Sequence, residues 1–275
     1  MDNIYLDNQA TTAVDPRVVD AMLPYFSKHF GNPHSAQHAY GWDAKAAVEQ
    51  ARAEIAAALG ARPSEIIFTS GATEANNQAI LGVARAQRNE GKRTGQTQRR
   101  HLVTTRIEHP CVIAPMELLA CEGYELSFVD VDKGGRVNLE QLAKLITSDT
   151  LLVSIMAANN EIGVLQDLDA IGALTHAAGA FFHTDAAQAV AKVPIDVNRA
   201  HIDLLGLTGH KLYGPMGAGA LYIRSRADLA VEPLLIGGGQ EMGLRSGTVA
   251  APLAAGLGAA CRIGTQELHE EAQRL

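Results

Sequence analysis

Residues 151–188 read LLVSIM, AANNEIGVLQDL, DAIGALTHAA, G, AFFHT and DAAQ in succession, and this stretch decides the fold. Leu151–Met156 and Ala180–Thr184 are short apolar runs of strand length with no polar face. Asp169–Ala178, between them, has helical spacing. A strand, a helix and a second strand make a unit whose strands lie parallel and are covered on their faces. The alternation continues in both directions. Glu65–Thr69, Leu102–Thr105, Glu125–Val129, Ile202–Leu207 and Gly219–Ile223 read as further strands. Ala72–Gln87, Cys111–Glu122 and Leu139–Ile146 read as helices between them. The expected fold class is therefore α/β, three layers α/β/α around a seven-stranded, mostly parallel sheet. The turn Gly214-Pro215-Met216-Gly217 offers a reversal that would make the last strand antiparallel.

Outside this block, Asp15–Leu59 reads as two helices around Phe30-Gly31-Asn32-Pro33. The second, Trp42–Leu59, ends where Gly60 can cap it. Asn89–Arg100 is polar and basic and reads as a solvated loop. Val249–Gln273 reads as one long helix or two, and the pattern runs on to Leu275 as if cut off.

Composition narrows the function classes. Apolar residues at 47% against 19% charged allow a large core and exclude wholesale disorder. A net charge of −7 argues against nucleic acid or an anionic membrane as a partner. Cys111, Cys121 and Cys261 lack CxxC spacing, so neither a zinc knuckle nor a disulfide framework is expected. Reduced thiols and an N-terminus without the basic and apolar regions of a signal peptide give the expectation of a cytoplasmic protein.

Ligands of an open parallel sheet bind beyond the carboxyl ends of its strands. Five strands end in polar groups: Ser70-Gly71-Ala72-Thr73-Glu74, Glu108-His109, Asn159-Asn160-Glu161, Asp185-Ala186-Ala187-Gln188 and Thr208-Gly209-His210-Lys211. The first opens a helix and suits either a phosphate or simple capping. Asp185 follows an apolar run and needs a cationic partner, which an arginine, a histidine or a protonated pyridine nitrogen would supply. Lys211 lies on a turn rather than a polar helix face, and partial burial would favour nucleophilic use over an ordinary surface role. His109 suits a metal ligand, an acid–base group or a stacking platform. With His183, Asp185 and His210 it could share a metal, but no local ligand spacing supports one.

Taken with Tyr5-Leu6-Asp7-Asn8-Gln9-Ala10-Thr11-Thr12, Asn159-Asn160-Glu161-Ile162-Gly163, Gly209-His210-Lys211-Leu212-Tyr213-Gly214-Pro215 and Arg245-Ser246-Gly247-Thr248, these motifs resemble, in order and over nearly the whole chain, the cysteine desulfurases of the NifS/IscS type. These are class V, fold-type-I enzymes dependent on pyridoxal 5'-phosphate. The resemblance implies that Lys211 holds the cofactor covalently and moves the substrate's α-proton, that Asp185 pairs with the ring nitrogen, and that His109 stacks on the ring. It implies Gln188 at the phenolic oxygen and Asn160 near that oxygen and the substrate carboxylate. Ala72, Thr73, Thr208 and His210 would bind the phosphate, with Thr248 reaching it from the second subunit of a homodimer. The implied reaction converts L-cysteine to L-alanine and passes sulfur, as an enzyme persulfide, to a scaffold protein for iron–sulfur cluster assembly. A selenocysteine lyase, an aminotransferase, or a silent cofactor-binding dimer are the alternatives. The implied domains are a 15–257 cofactor-binding domain, with 1–14 and 258–275 belonging to a smaller one.

Three departures stand out. Thr208 takes the place of a usual serine and keeps the hydroxyl, and Met216 that of a usual lysine. The family's persulfide cysteine lies on a mobile loop well beyond the lysine, followed by an arginine for the substrate carboxylate. Here Cys261, in a helical pattern, is the one cysteine after Lys211 and does not match that motif. Cys111 is nearer the site but opens a helix, where packing is its expected role.

Overall fold

The computed structural model describes residues 4–95 and 97–274. Seven strands form one sheet: β1 (Ile66–Thr69), β2 (His101–Thr105), β3 (Glu125–Val129), β4 (Thr150–Ser154), β5 (Phe181–Asp185), β6 (Leu204–Thr208) and β7 (Gly219–Ile223), in the order β1-β7-β6-β5-β4-β2-β3. The β7 strand is antiparallel to both neighbours, and the remaining pairs are parallel. Strand β1 therefore runs in the same sense as β2 to β6 although it reaches them only through β7. All seven expected strands and the reversal at the Gly-Pro turn are present.

Among the described residues eight helices cover the sheet: α1 (Pro16–Met22), α2 (Pro24–Ser27), α3 (Ala39–Leu59), α4 (Ala72–Thr94), α5 (Pro110–Cys121), α6 (Leu139–Leu145), α7 (Leu168–Ala177) and α8 (Ala251–Arg274). Strand residues alternate between the two faces, as period-2 geometry requires. Ile67, Leu102, Leu152, Phe181, Leu204 and Leu221 pack under α4 and α5. Phe68, Val103, Val153, Phe182, Leu205 and Tyr222 face a second core with α1, α3, α6, α7 and α8. Gly60 caps α3 in the left-handed region, at φ 69°.

One expectation needs correction. Helix α4 runs on to Thr94, capped by Gly95, so half of the expected loop at 89–100 is helical. Its polar last turns lie beyond the sheet and are held by pairs such as Glu90–Arg93, which an apolar periodicity cannot reveal. The division expected at 257/258 falls inside α8. Leu257 and Ala259 to Cys261 are buried in the same core.

Candidate active site

The carboxyl ends of β1, β2, β4, β5 and β6 open on one cleft of about 670 Å³, and all five polar segments contribute to its surroundings. At β1, Gly71 precedes α4 with φ 150°, a conformation side-chain-bearing residues avoid. The β7 backbone passes so close that a Cβ on Gly219 would stand 2.5 Å from Gly71 Cα. This turn presents the unpaired N–H groups of Ala72 and Thr73 at the start of a long helix, a ready anion site. Glu74 stiffens it: Oε2 accepts from the Ser70 N–H at 2.7 Å and Oε1 from Arg245 Nε at 2.9 Å. The pair with Arg245 and the two Ser70 hydrogen bonds hold the Glu74 carboxyl below the usual range, against its partial burial. Thr208, at the end of β6, sits beside this turn, its Oγ1 3.6 Å from where a Gly71 Cβ would be.

Asp185 ends β5 and is 5% exposed. Its Oδ1 accepts from the Ala187 N–H at 2.9 Å, and Cys111 Sγ lies 3.6 Å from Oδ2. Burial pushes its carboxyl above the usual range, partly offset by these bonds and by the charge of Lys211. Lys211 closes a single 3₁₀ turn, Gly209–Lys211. The N-terminal segment straps that turn: Thr12 donates from N and Oγ1 to His210 O, and its Oγ1 accepts from the Tyr213 N–H at 2.9 Å. Burial and the charges of Lys211 and Lys192 push the His210 imidazole down. His109 caps α5, its Nδ1 accepting the Cys111 N–H at 3.2 Å, which leaves the ring proton on Nε2 and fixes the ring at the cleft.

Gln188 is held between Gln9 O and Lys192 Nζ, at 2.9 and 3.1 Å, and Asn160 bonds Glu161. Of the cofactor-binding residues that the resemblance implies, all line the cleft except Thr248. It is exposed and lines a neighbouring cavity behind Ser70. His183 is fully buried, held neutral with its pKa pushed down to about 3 by burial. Among the described residues no cluster of three or more His, Cys, Asp or Glu side chains could hold a metal ion. Burial pushes the Cys111 and Cys261 thiols up to about 12, and Cys121 is exposed at the far end of α5.

The sequence reading quoted Gln9 to Thr11 in a motif but gave no site role to them, to Met156 or to Lys192, all at or beside the cleft, or to buried Asn76. Asn76 lies one turn after Thr73 on α4, and that helical spacing was the available signal.

The class-V aminotransferase family profile matches residues 4–274. "Cysteine desulfurase, mitochondrial" of Drosophila melanogaster is 55% identical over 96% of this chain and 56% of its own length. Among solved structures, a "NIFS-LIKE PROTEIN" superposes with a TM-score of 0.91 at 40% identity, over 99% of this chain and 72% of that one. "SspA in complex with cysteine" follows at 0.87 and 42%, over 94% and 72%. The chain spans just over half the length of the curated relatives it matches. The cytoplasmic location expected from the sequence does not stand. The relatives from D. melanogaster and Arthroderma benhamiae are named mitochondrial, which overturns that expectation. Unpaired thiols mark a reducing environment without saying which compartment supplies it. Enzymes of this class depend in general on pyridoxal 5'-phosphate. The family match across nearly the whole chain, together with 40% identity to a NifS-like chain of the same fold, means that this chain belongs to the class-V aminotransferases.

Proposed function

We propose that this chain forms the cofactor-binding part of a cysteine desulfurase, acting on L-cysteine to give L-alanine and a persulfide destined for iron–sulfur cluster assembly. The observation that carries the reading is the meeting of Asp185, His109, Lys211 and the Gly71–Thr73 turn around one cleft. The residues fit pyridoxal phosphate. Asp185 is buried beside open space with no ion-pair partner among the described residues, and a protonated ring nitrogen would supply the missing cation. The Ala72 and Thr73 amides, Thr208 and His210 suit the phosphate. His109 presents a fixed ring for stacking, and Gln188 and Asn160 offer donors to the phenolic oxygen and the substrate carboxylate. Thr248, exposed outside the cleft, suits the phosphate of a second copy in a homodimer.

When bound, the cofactor supplies an electron-withdrawing ring that stabilises negative charge on the substrate's α-carbon. Lys211 would hold it through Nζ and would then carry a proton to and from that carbon. The N-terminal strap holds the Lys211 turn in place while the lysine changes partners. Release of sulfur needs a thiolate to attack the bound cysteine, and neither Cys111 nor Cys261 supplies one near neutral pH.

The test uses the 275-residue chain with added pyridoxal phosphate. Borohydride treatment is expected to fix the cofactor on the Lys211 peptide, and Lys211→Ala is expected to remove both the label and the visible band. Label on a different lysine, or a folded chain that stays colourless, would overturn the assignment. The same chain is expected to bind cysteine and release little sulfide. Brisk release abolished by Cys111→Ala would make Cys111 the acceptor instead.

A further inference from the structure

Behind Asp185 lies a file of buried polar side chains that the cofactor contacts do not use. Ser154 Oγ and His183 Nδ1 are 2.7 Å apart, and His183 Nε2 and Asn76 Oδ1 3.2 Å. Asn76 Nδ2 stands 3.2 Å from Cys111 Sγ, which faces Asp185 Oδ2 at 3.6 Å. Ser154, Asn76, His183 and Asp185 are all buried. The fold makes room for this file: β6 carries glycine at 206, where a Cβ would stand 2.0 Å from Asn76 Oδ1.

We propose that Ser154, His183, Asn76 and Cys111 form a one-way hydrogen-bond relay that aims the Cys111 S–H at Asp185 Oδ2 as a hydrogen-bond donor, the proton staying on sulfur, and so orients the carboxylate and keeps it ionised toward the cleft. The polarity follows from the donors. A neutral imidazole has a single N–H. If Asn76 gives its amide N–H to sulfur, its carbonyl must accept from His183 Nε2, and His183 Nδ1 must then accept from the Ser154 hydroxyl. The thiol remains free to donate to Asp185. The reverse polarity would turn the thiol toward Asn76 and leave a buried carboxylate oxygen without that donor, which costs more than the relay itself. His183 stays neutral and Cys111 stays a thiol because both are desolvated, so the relay does not change direction near neutral pH. Besides Cys111, Asp185 is faced by the Ala187 N–H, by the charge of Lys211 and by the His109 ring, and Glu108 lies close enough to feel its charge. Four residues are thus positioning residues for the group that meets the cofactor. The proposal rests on the reading that Asp185 serves the cofactor ring.

The test is a carboxyl-carbon NMR titration of the cofactor-free 275-residue chain, the Asp185 signal being assigned by its loss in Asp185→Asn. Pyridoxal phosphate affinity is measured in parallel. Cys111→Ala is expected to raise the Asp185 midpoint by about half to one pH unit and weaken cofactor binding roughly three- to tenfold. Cys111→Ser, which keeps a donor, is expected to stay near the parent in both. Asn76→Leu should shift the midpoint the same way and add nothing to Cys111→Ala, because both act through one proton. An unmoved midpoint in Cys111→Ala, or equal shifts in Cys111→Ser and Cys111→Ala, would overturn the relay. A shifted midpoint with cofactor affinity unchanged even in Asp185→Asn would uphold the relay and refute the cofactor role of Asp185.

Discussion

Glu108 shows at the scale of one residue what the cleft costs the fold. Its Oε1 accepts from the Met156 N–H at 2.7 Å and from Thr105 Oγ1 at 3.1 Å, while Oε2 is buried without a partner. Burial, aided by the charge of Asp185, pushes its carboxyl up to about 8. A folded-state value above the unfolded one means stability that is present at low pH and lost as pH rises toward 8. Glu108→Gln cannot ionise. Its melting temperature is expected to gain on the parent between pH 5 and pH 8 by at least about 3 °C, the equivalent of roughly 1 kcal/mol. Parallel melting curves for the two proteins would contradict this. The residues of the cleft differ in how openly the sequence displays them. Lys211, Asp185 and His109 were legible because each lies in a polar segment at or just past the end of a strand-like run. Asn76 was not, because a polar residue inside a helix gives no sign of being buried until the strand beneath it proves to carry glycine.

Among the elements, the join between α3, β1 and the segment after β7 is the most tightly specified. Arg52 of α3 makes a two-pronged pair with Glu241 at 2.8 Å, and Glu241 also accepts the Phe68 N–H of β1. Both side chains are buried, and Glu241 holds a left-handed backbone at φ 50° to reach them. Arg52→Met would strand the Glu241 carboxylate, at an expected cost of about 3–5 kcal/mol, read as a fall in the urea midpoint. A loss below about 1 kcal/mol would mean that water satisfies the site. Because Arg245 of the same segment pairs with Glu74, the variant should also loosen the Gly71 turn and weaken phosphate binding. Strands were easy to read from the sequence, since most are short runs rich in apolar or β-branched residues. The end of α4 was not, because its last turns touch solvent and are held by charge pairs. Nor was the continuity of α8 through Gly256, Gly258 and Gly264. Those glycines look like interruptions in sequence, yet Gly258 is where α8 approaches Ala51 of α3 so closely that a Cβ would stand 2.6 Å from its Cα.

Over the whole molecule, the β-then-α alternation sufficed to anticipate the three layers and the one edge on which chemistry collects. Position in the sheet is another matter, since strand order depends on which faces bury one another and not on local pattern. The insertion of β7 between β1 and β6 has a consequence in time. Strand β1 hydrogen-bonds to β7 and to no other described strand, with Ile66 opposite Tyr222 and Thr69 opposite Gly219. On the ribosome, β1 and the helix before it emerge first and must wait until residue 219 has been made. At roughly 5–20 residues per second that is a delay on the order of ten seconds. Through it the apolar Ile66-Ile67-Phe68 strand has no ladder to join. Nascent chains stalled before residue 219 are expected to depend on chaperones and to be cut readily by protease between α3 and α4, and chains stalled well past residue 223 to resist. Equal resistance at both lengths would mean that this first strand finds shelter without its partner.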